Sequence, residues 1–199
     1  TYLLERINFA RDIHFYTNTT MDTLDYSGTG INSGSKVVLA AYGNKIRTLA
    51  TTIPQVLHSL EGFGSVGLAM PGVVCVTAAS YTNAIEAASQ MNALDAQLSG
   101  ASLEGVAIIV ICDDANFTAQ ALNNYLWVTY TRSNPSHDIY GIGSFTQNKH
   151  WGCTGPLVID ARIKPHHAPV LIKDEVVEKK VDRLFEKGGS LYSLISTQV

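Results

Sequence analysis

The sequence predicts an α/β domain: a mostly parallel sheet covered by helices on both faces, with a carboxy-terminal helix and tail extending toward a partner. Three observations carry this. The run Val106–Ile111 is apolar throughout, which suits a strand buried on both sides. Strand-like and helix-like segments alternate through the middle of the chain, and right-handed crossovers turn that order into a mostly parallel sheet. Asp174–Lys187 carries Val176, Val177, Val181, Leu184 and Phe185 on one side. Neither that helix nor the Leu191–Ile195 tail has a place in the core, and an exchanged contact with a neighbouring subunit would bury both.

The elements follow in order. Residues 1–35 are rich in Thr, Asn, Asp, Ser and Gly, with Phe9, Phe15 and Tyr16 as scattered anchors, and read as a lead-in segment and glycine-rich loop. Residues 36–187 form the α/β domain, and 188–199 a tail. Lys36–Tyr42 is a short strand closed by Gly43. Lys45–Leu60 has roughly helical apolar spacing, with a helix start or kink at Pro54. Gly62, Gly64 and Gly67 suggest a loose turn before a strand at Val73–Thr77. Asn83–Leu98 is the clearest helix, with Ala84, Ala87, Ala88, Met91, Leu94 and Leu98 at three- and four-residue steps and Gly100 as its stop. Thr118 is a suitable N-cap for a helix running to Tyr130. Ile139–Ile142 and Leu157–Ile159 are further strands, separated by a Gly/aromatic loop from Gly143 to Gly155.

Composition narrows the function. The chain has 199 residues, 46% hydrophobic and only 16% charged. So low a charged fraction suggests that another body covers part of the surface. With 14 basic and 17 acidic residues and a net charge of −3, no field attracts nucleic acid or an anionic membrane. No run approaches the roughly 18 apolar residues of a membrane span. The first residues, without an initiator methionine, read as cut from a longer protein. Cys75, Cys112 and Cys153 are far apart, without a Cys-x-x-Cys spacing, and read as buried thiols in a reducing cytoplasm.

Candidate chemistry is sparse. The stretch Gly28 to Lys36 is glycine-rich, but it matches neither phosphate-binding spacing and precedes a strand. Asp113 and Asp114 close the apolar run Ile-Ile-Val-Ile-Cys. Such a pair can bind a cation or act as acid and base. Helix capping by Asp114 or Asn116 is the plainer reading. His150, His166 and His167 lack metal-ligand spacing, and Pro165 and Pro169 flank the latter two. Arg132 and Asp138, six apart around Pro135, suggest a buried ion pair that fixes a turn. The residues alone give an α/β domain with no catalytic set.

One resemblance adds to this. Val-Ile-Cys-Asp-Asp is followed, after a helix, by Leu-Trp-Val-Thr-Tyr-Thr-Arg-Ser-Asn-Pro-Ser-His-Asp. This resembles the carboxy-terminal domain of the UbiD-family decarboxylases (3-octaprenyl-4-hydroxybenzoate carboxy-lyase-like). That domain shows a strand ending in aspartates and then W-A-x-x-T-R-x-x-P-x-x-D. Trp127, Thr131, Arg132, Pro135 and Asp138 stand at matching places. Asp160-Ala161-Arg162 stands where the family has Asp-Ala-Thr. The similarity is clearest over about residues 106–187. Ala115 and Asn116 replace further aspartates, Arg162 replaces threonine, and Pro156 aligns with a lysine that some relatives carry near the cofactor phosphate.

The resemblance implies a parent enzyme that reversibly decarboxylates an aromatic or α,β-unsaturated acid on prenylated FMN. A divalent metal (Mn or Mg) and, in some members, K serve that cofactor. The family's Glu-Arg-Glu catalytic set belongs to a central flavin-binding domain. This chain is therefore expected to be inactive alone, to hold no cofactor, and to cover the cleft and build a homodimer or higher homo-oligomer. Asp113, Asp114, Trp127, Arg132, Asp138 and Asp160 become structural or interface candidates. The rivals are a non-catalytic assembly or regulatory domain and a self-contained nucleotide-binding domain.

Overall fold

Val73 to Ala78 and Ile108 to Cys112 are almost uninterrupted β-branched and apolar runs, and they form the centre of the molecule. A computed structural model describes residues 1–20, 33–168, 172 and 174–196. Thr1–His167 make one compact unit and Ala168–Val199 a second. Gly28–Asn32 of the glycine-rich stretch and Pro169 lie outside the described residues.

The first unit opens with β1 (Ile13–Thr19) and β2 (Gly34–Leu39), an antiparallel pair with Ile13 opposite Leu39. Next come a 3-10 turn (Gln55–Ser59), β3 (Phe63–Met70), β4 (Val73–Ala78), α1 (Ala84–Leu98) and β5 (Ile108–Cys112). Three helices follow: α2 (Ala115–Gln120), α3 (Leu122–Thr131) and α4 (Pro135–Asp138). The unit closes with β6 (Ile139–Gly141), β7 (Ser144–Gln147), β8 (His150–Cys153) and β9 (Leu157–Asp160).

The main sheet runs β3-β4-β5-β9-β6. Its centre, β4-β5-β9, is parallel, and both outer strands are antiparallel to their neighbours. The sheet is therefore mixed, where the sequence predicts a mostly parallel one. The reason is local. Gly72, at φ +79°, turns β3 straight back into β4, and so short a connection joins only antiparallel strands.

Side chains alternate along the central strands and build two apolar clusters. Val73, Cys75, Ile108, Val110, Leu157 and Ile159 join Tyr125 and Val128 of α3. Val74, Val76, Ile109, Ile111 and Val158 join Met91, Leu94 and Leu98 of α1. Each fully buried Val, Leu or Ile contributes about 1.5–3 kcal/mol. The Asn83 side chain accepts from the Glu86 amide at 2.9 Å and starts α1. All three cysteines are free and buried.

Four local expectations change. Residues 45–54 are not helical, because other segments take their backbone groups. The Ile46 amide donates to the Glu5 carbonyl at 2.8 Å and the Ala50 amide to that of Gly105 at 2.9 Å. The glycines before Val73 lie in β3 or at its start. At Gly67 an added Cβ would stand 2.7 Å from Ala119 Cβ, so strand and α2 are in direct contact there. The loop between Gly143 and Gly155 contains the β7–β8 hairpin, whose turn residues Asn148 and Lys149 have φ of 51° and 64°. Within 1–35, β1 anchors Ile13 and Phe15 in or against the core.

The second unit contains α5 (Glu175–Phe185) and α6 (Tyr192–Ser196). Asp174 caps α5 by accepting from the Val176 and Val177 amides at 2.8 and 3.1 Å. Val176, Val177, Val181 and Leu184 are exposed.

Candidate functional site

The carboxyl ends of parallel strands are where open α/β sheets meet ligands. Here those ends carry a buried charged cluster. Asp160 ends β9 and is fully buried, and Arg162 is 1% exposed. The guanidinium grips Asp160 twice, Nε to Oδ1 at 2.9 Å and Nη2 to Oδ2 at 2.6 Å. Its Nη1 donates to the Ala79 carbonyl at 2.8 Å and to Gln90 Oε1 at 2.6 Å. Burial alone would lower the Arg162 pKa. The hydrogen bonds and charge of Asp160 outweigh it and raise the value.

Lys164 completes the cluster. Its Nζ donates to the carbonyls of Arg132 at 2.8 Å, Asp160 at 2.9 Å and Arg162 at 3.3 Å, and lies 3.3 Å from Asp138 Oδ2. Asp138 accepts the Asn134 amide at 2.6 Å. Burial pushes the Asp138 carboxyl up, against the pull of Lys164 and of that amide. The Asn134 side chain accepts from the Ser35 hydroxyl, which ties β2 to the same corner. The Tyr81 ring faces both cations, Arg162 at 5.6 Å and Lys164 at 5.4 Å. Burial, then the nearby carboxylates, push the Tyr140 hydroxyl up to about 12. The Lys164 amide donates to His167 Nδ1 at 3.1 Å. Burial first, then His166, Lys164 and Arg132, push the His167 imidazole down to about 4.

The sequence-predicted residues divide. Asp113 accepts from the Ile163 amide at 2.9 Å and pairs with Arg132 at 3.3 Å. Asp114 caps α2, accepting from the Asn116 and Phe117 amides at 2.9 and 3.1 Å. Thr118 lies inside α2 and donates back to the Asp114 carbonyl at 2.7 Å, so it is not the cap. The expected Arg132–Asp138 pair is replaced by Arg132–Asp113 and Lys164–Asp138. The turn after α3 aims Arg132 back at the end of β5, and Lys164 takes the carboxylate. Trp127 faces outward and is exposed, as are Leu122, Leu126 and Tyr130 of α3 and Phe117 of α2. Sequence reasoning missed Lys164, Tyr81, Gln90 and His167. Lys164 had one signal, a basic residue four positions after a strand-end aspartate.

At the opposite, amino ends of β5 and β9 lies a cavity of about 400 Å³, lined by Phe9, Arg47, Leu98, Ile142, Thr154 and Pro156 among others. Arg47 Nη1 donates to the Leu4 carbonyl at 2.6 Å. Burial lowers the Arg47 pKa.

Known proteins resemble the chain as follows. The family model for the 3-octaprenyl-4-hydroxybenzoate carboxy-lyase C-terminal domain matches residues 1–41. A 4-hydroxybenzoate decarboxylase component from Chlamydia pneumoniae is 27% identical over 179 residues, 90% of this chain and 29% of the relative. The chain belongs with the UbiD-family carboxy-lyases. An uncharacterized protein of Chlamydia trachomatis is 29% identical over 90% of this UbiD-family chain and 29% of its own. The chain thus spans about three-tenths of the length of the curated relatives it matches. The closed form of Sedimentibacter hydroxybenzoicus vanillic acid decarboxylase matches with a TM-score of 0.44 and 17% identity, over 67% of this chain and 31% of that one. An evolved dimeric form of the UbiD-class enzyme HmfF from Pelotomaculum thermopropionicum, in complex with prFMN, matches with a TM-score of 0.38 and 21% identity, over 59% and 25%. The family match falls on the lead-in segment, whereas the motifs quoted for the resemblance lie between Val110 and Arg162.

The described residues do not fit a flavin phosphate with its metal. Among them no group of three or more His, Cys, Asp or Glu could hold a metal ion. Asp113, Asp138 and Asp160 are each committed to a cation or an amide. Among the described residues no helix is long and apolar enough to cross a membrane.

Proposed function

We propose that this chain is the carboxy-terminal domain of a UbiD-like carboxy-lyase, and that it covers the reaction cleft and contributes to a dimer without supplying catalytic groups. The parent decarboxylates an aromatic or α,β-unsaturated acid with prenylated FMN, served by Mn or Mg and K, bound in a central domain outside this chain. Helices on both faces of the sheet make the body rigid, and the terminal helix reaches toward the partner. Asp113, Asp114, Arg132, Asp138 and Asp160 hold the body together, and Trp127 is an interface residue. The free cysteines suit a reducing cytoplasm.

One observation carries this reading. Leu122, Leu126, Trp127 and Tyr130 of α3 are 43–64% exposed, and Phe117 of α2 is also exposed. An apolar group of this size on a water-facing surface is made for a partner. The buried charges at the strand ends point the same way, since each is already engaged and none is offered to a substrate.

The test compares the purified 199-residue chain with the full-length parent. Each is supplied with prenylated FMN, Mn²⁺ and a panel of aromatic and unsaturated acids. The reading expects carbon dioxide from the parent and none from the chain alone. Turnover by the chain alone overturns the division of labour. A parent that lacks a flavin-binding central domain favours an assembly role.

A further inference from the structure

We propose that the cavity at the amino ends of β5 and β9 binds a small monoanionic carboxylate with an apolar body, held through the guanidinium of Arg47.

The argument starts from how the first unit treats its arginines. Arg6 pairs with Glu5, Arg11 with Asp12, Arg132 with Asp113 and Arg162 with Asp160. Among the described residues no carboxylate pairs with Arg47. Its one hydrogen bond runs from Nη1 to the Leu4 carbonyl, and the Phe9 ring lies 5.8 Å from its guanidinium carbon. The nearest titratable group that acts on it is the Cys153 thiol. Burial pushes that thiol up to about 12, so it is neutral at ordinary pH and gives Arg47 no counter-charge. A half-buried guanidinium with donors to spare, in a concave site of about 400 Å³, is built for an anion.

The surroundings choose which anion. The carboxyl end of α1 borders the cavity at Leu98 and Ser99, and the last carbonyls of a helix repel negative charge. Glu104 stands at the rim, and Asp95 accepts the Gly143 amide at 2.7 Å beside it. These groups penalise a dianion such as phosphate more than a single carboxylate. A carboxylate also matches the fork of the guanidinium with two parallel hydrogen bonds. Phe9, Leu98, Ile142 and Pro156 offer walls for an apolar body. This inference is independent of the decarboxylase reading.

The test is a titration of the 199-residue chain, followed by calorimetry and by amide NMR shifts. Phenylacetate is the probe, with 2-phenylethanol as its neutral counterpart and inorganic phosphate as the dianion. Phenylacetate is expected to saturate with a Kd on the order of 1 mM or tighter, with shifts centred on residues 99–107 and 142–156. The alcohol and phosphate are expected to bind at least about tenfold more weakly. Arg47→Gln should weaken phenylacetate by a similar factor. Because Arg47 also holds Leu4, a second variant, Ala101→Trp, fills the cavity and leaves the guanidinium in place. It should abolish binding while circular dichroism stays that of the wild type. Absence of saturation in the wild type overturns the proposal. So does unchanged affinity in Ala101→Trp, or tighter binding of phosphate than of phenylacetate.

Discussion

The two ends of the same three parallel strands handle charge in opposite ways. At their carboxyl ends, Asp160, Arg162, Lys164 and Asp138 are all under 6% exposed, and each meets an opposite charge. At their amino ends Arg47 borders open space and meets only a carbonyl. A charge leaves water at a cost of several kcal/mol, which a well-formed partner offsets. Full pairing therefore marks a corner whose task is to stay closed. An unpaired, half-buried cation marks a place where something arrives. The contrast also inverts the usual expectation for parallel sheets, in which the carboxyl ends are the open side. In this chain those ends are filled by its own side chains.

The largest expected effect breaks the closed end. Asp160→Ala leaves Arg162 buried without its carboxylate. It should cost about 3–5 kcal/mol and lower the melting temperature by roughly 10 °C, read by thermal unfolding. An unchanged melting temperature would mean that the corner admits water. The next effect disturbs the open end through its backbone. Gly105 has φ +76°, and a Cβ there would stand 2.5 Å from the Ala50 amide nitrogen. Gly105→Ala should cost about 2 kcal/mol, measured by urea unfolding.

A smaller effect reports on protons. The folded chain lowers the His167 pKa from the ordinary 6.5 to about 4. Between these values the unfolded chain binds the proton and the folded chain does not. His167 therefore contributes stability that is complete above pH 6.5 and is lost as pH falls toward 4. Asp138 acts oppositely, because its raised pKa contributes stability at low pH that is lost as pH rises through it. His167→Asn should flatten the fall in melting temperature between pH 6.5 and pH 4.5. An identical slope in wild type and variant would show that the imidazole titrates freely. The smallest effect on the isolated chain comes from its exposed helix. Trp127→Ser should shift stability by no more than about 0.5 kcal/mol, while weakening whatever docks on α3.

Much of the frame was legible in the residues, and the failures share a cause. The helix at Asn83–Leu98, the buried runs of β4, β5 and β9 and the cap at Asp114 follow from local periodicity and local hydrogen bonding, and sequence displays those directly. Residues 45–54 look helical by spacing but are not, because their amides bond to Glu5 and Gly105, partners about 40 and 55 positions away. β3 was hidden by its glycines, whose missing side chains make room for α2. The corner was half legible. Asp138 and Arg132 stood out, but both chose partners that spacing does not reveal, Lys164 across 26 residues and Asp113 across 19. Arg47 gave no signal at all, since what distinguishes it is the absence of a neighbour in space.

The central claim is that the outward face of α3 is sheltered by the rest of a larger enzyme. Hydrogen–deuterium exchange over residues 117–131, in this chain and in the full-length parent, tests it most directly. The account predicts slower exchange there in the parent, with residues 84–98 of α1 unchanged. Equal exchange over 117–131 in the two proteins would contradict it.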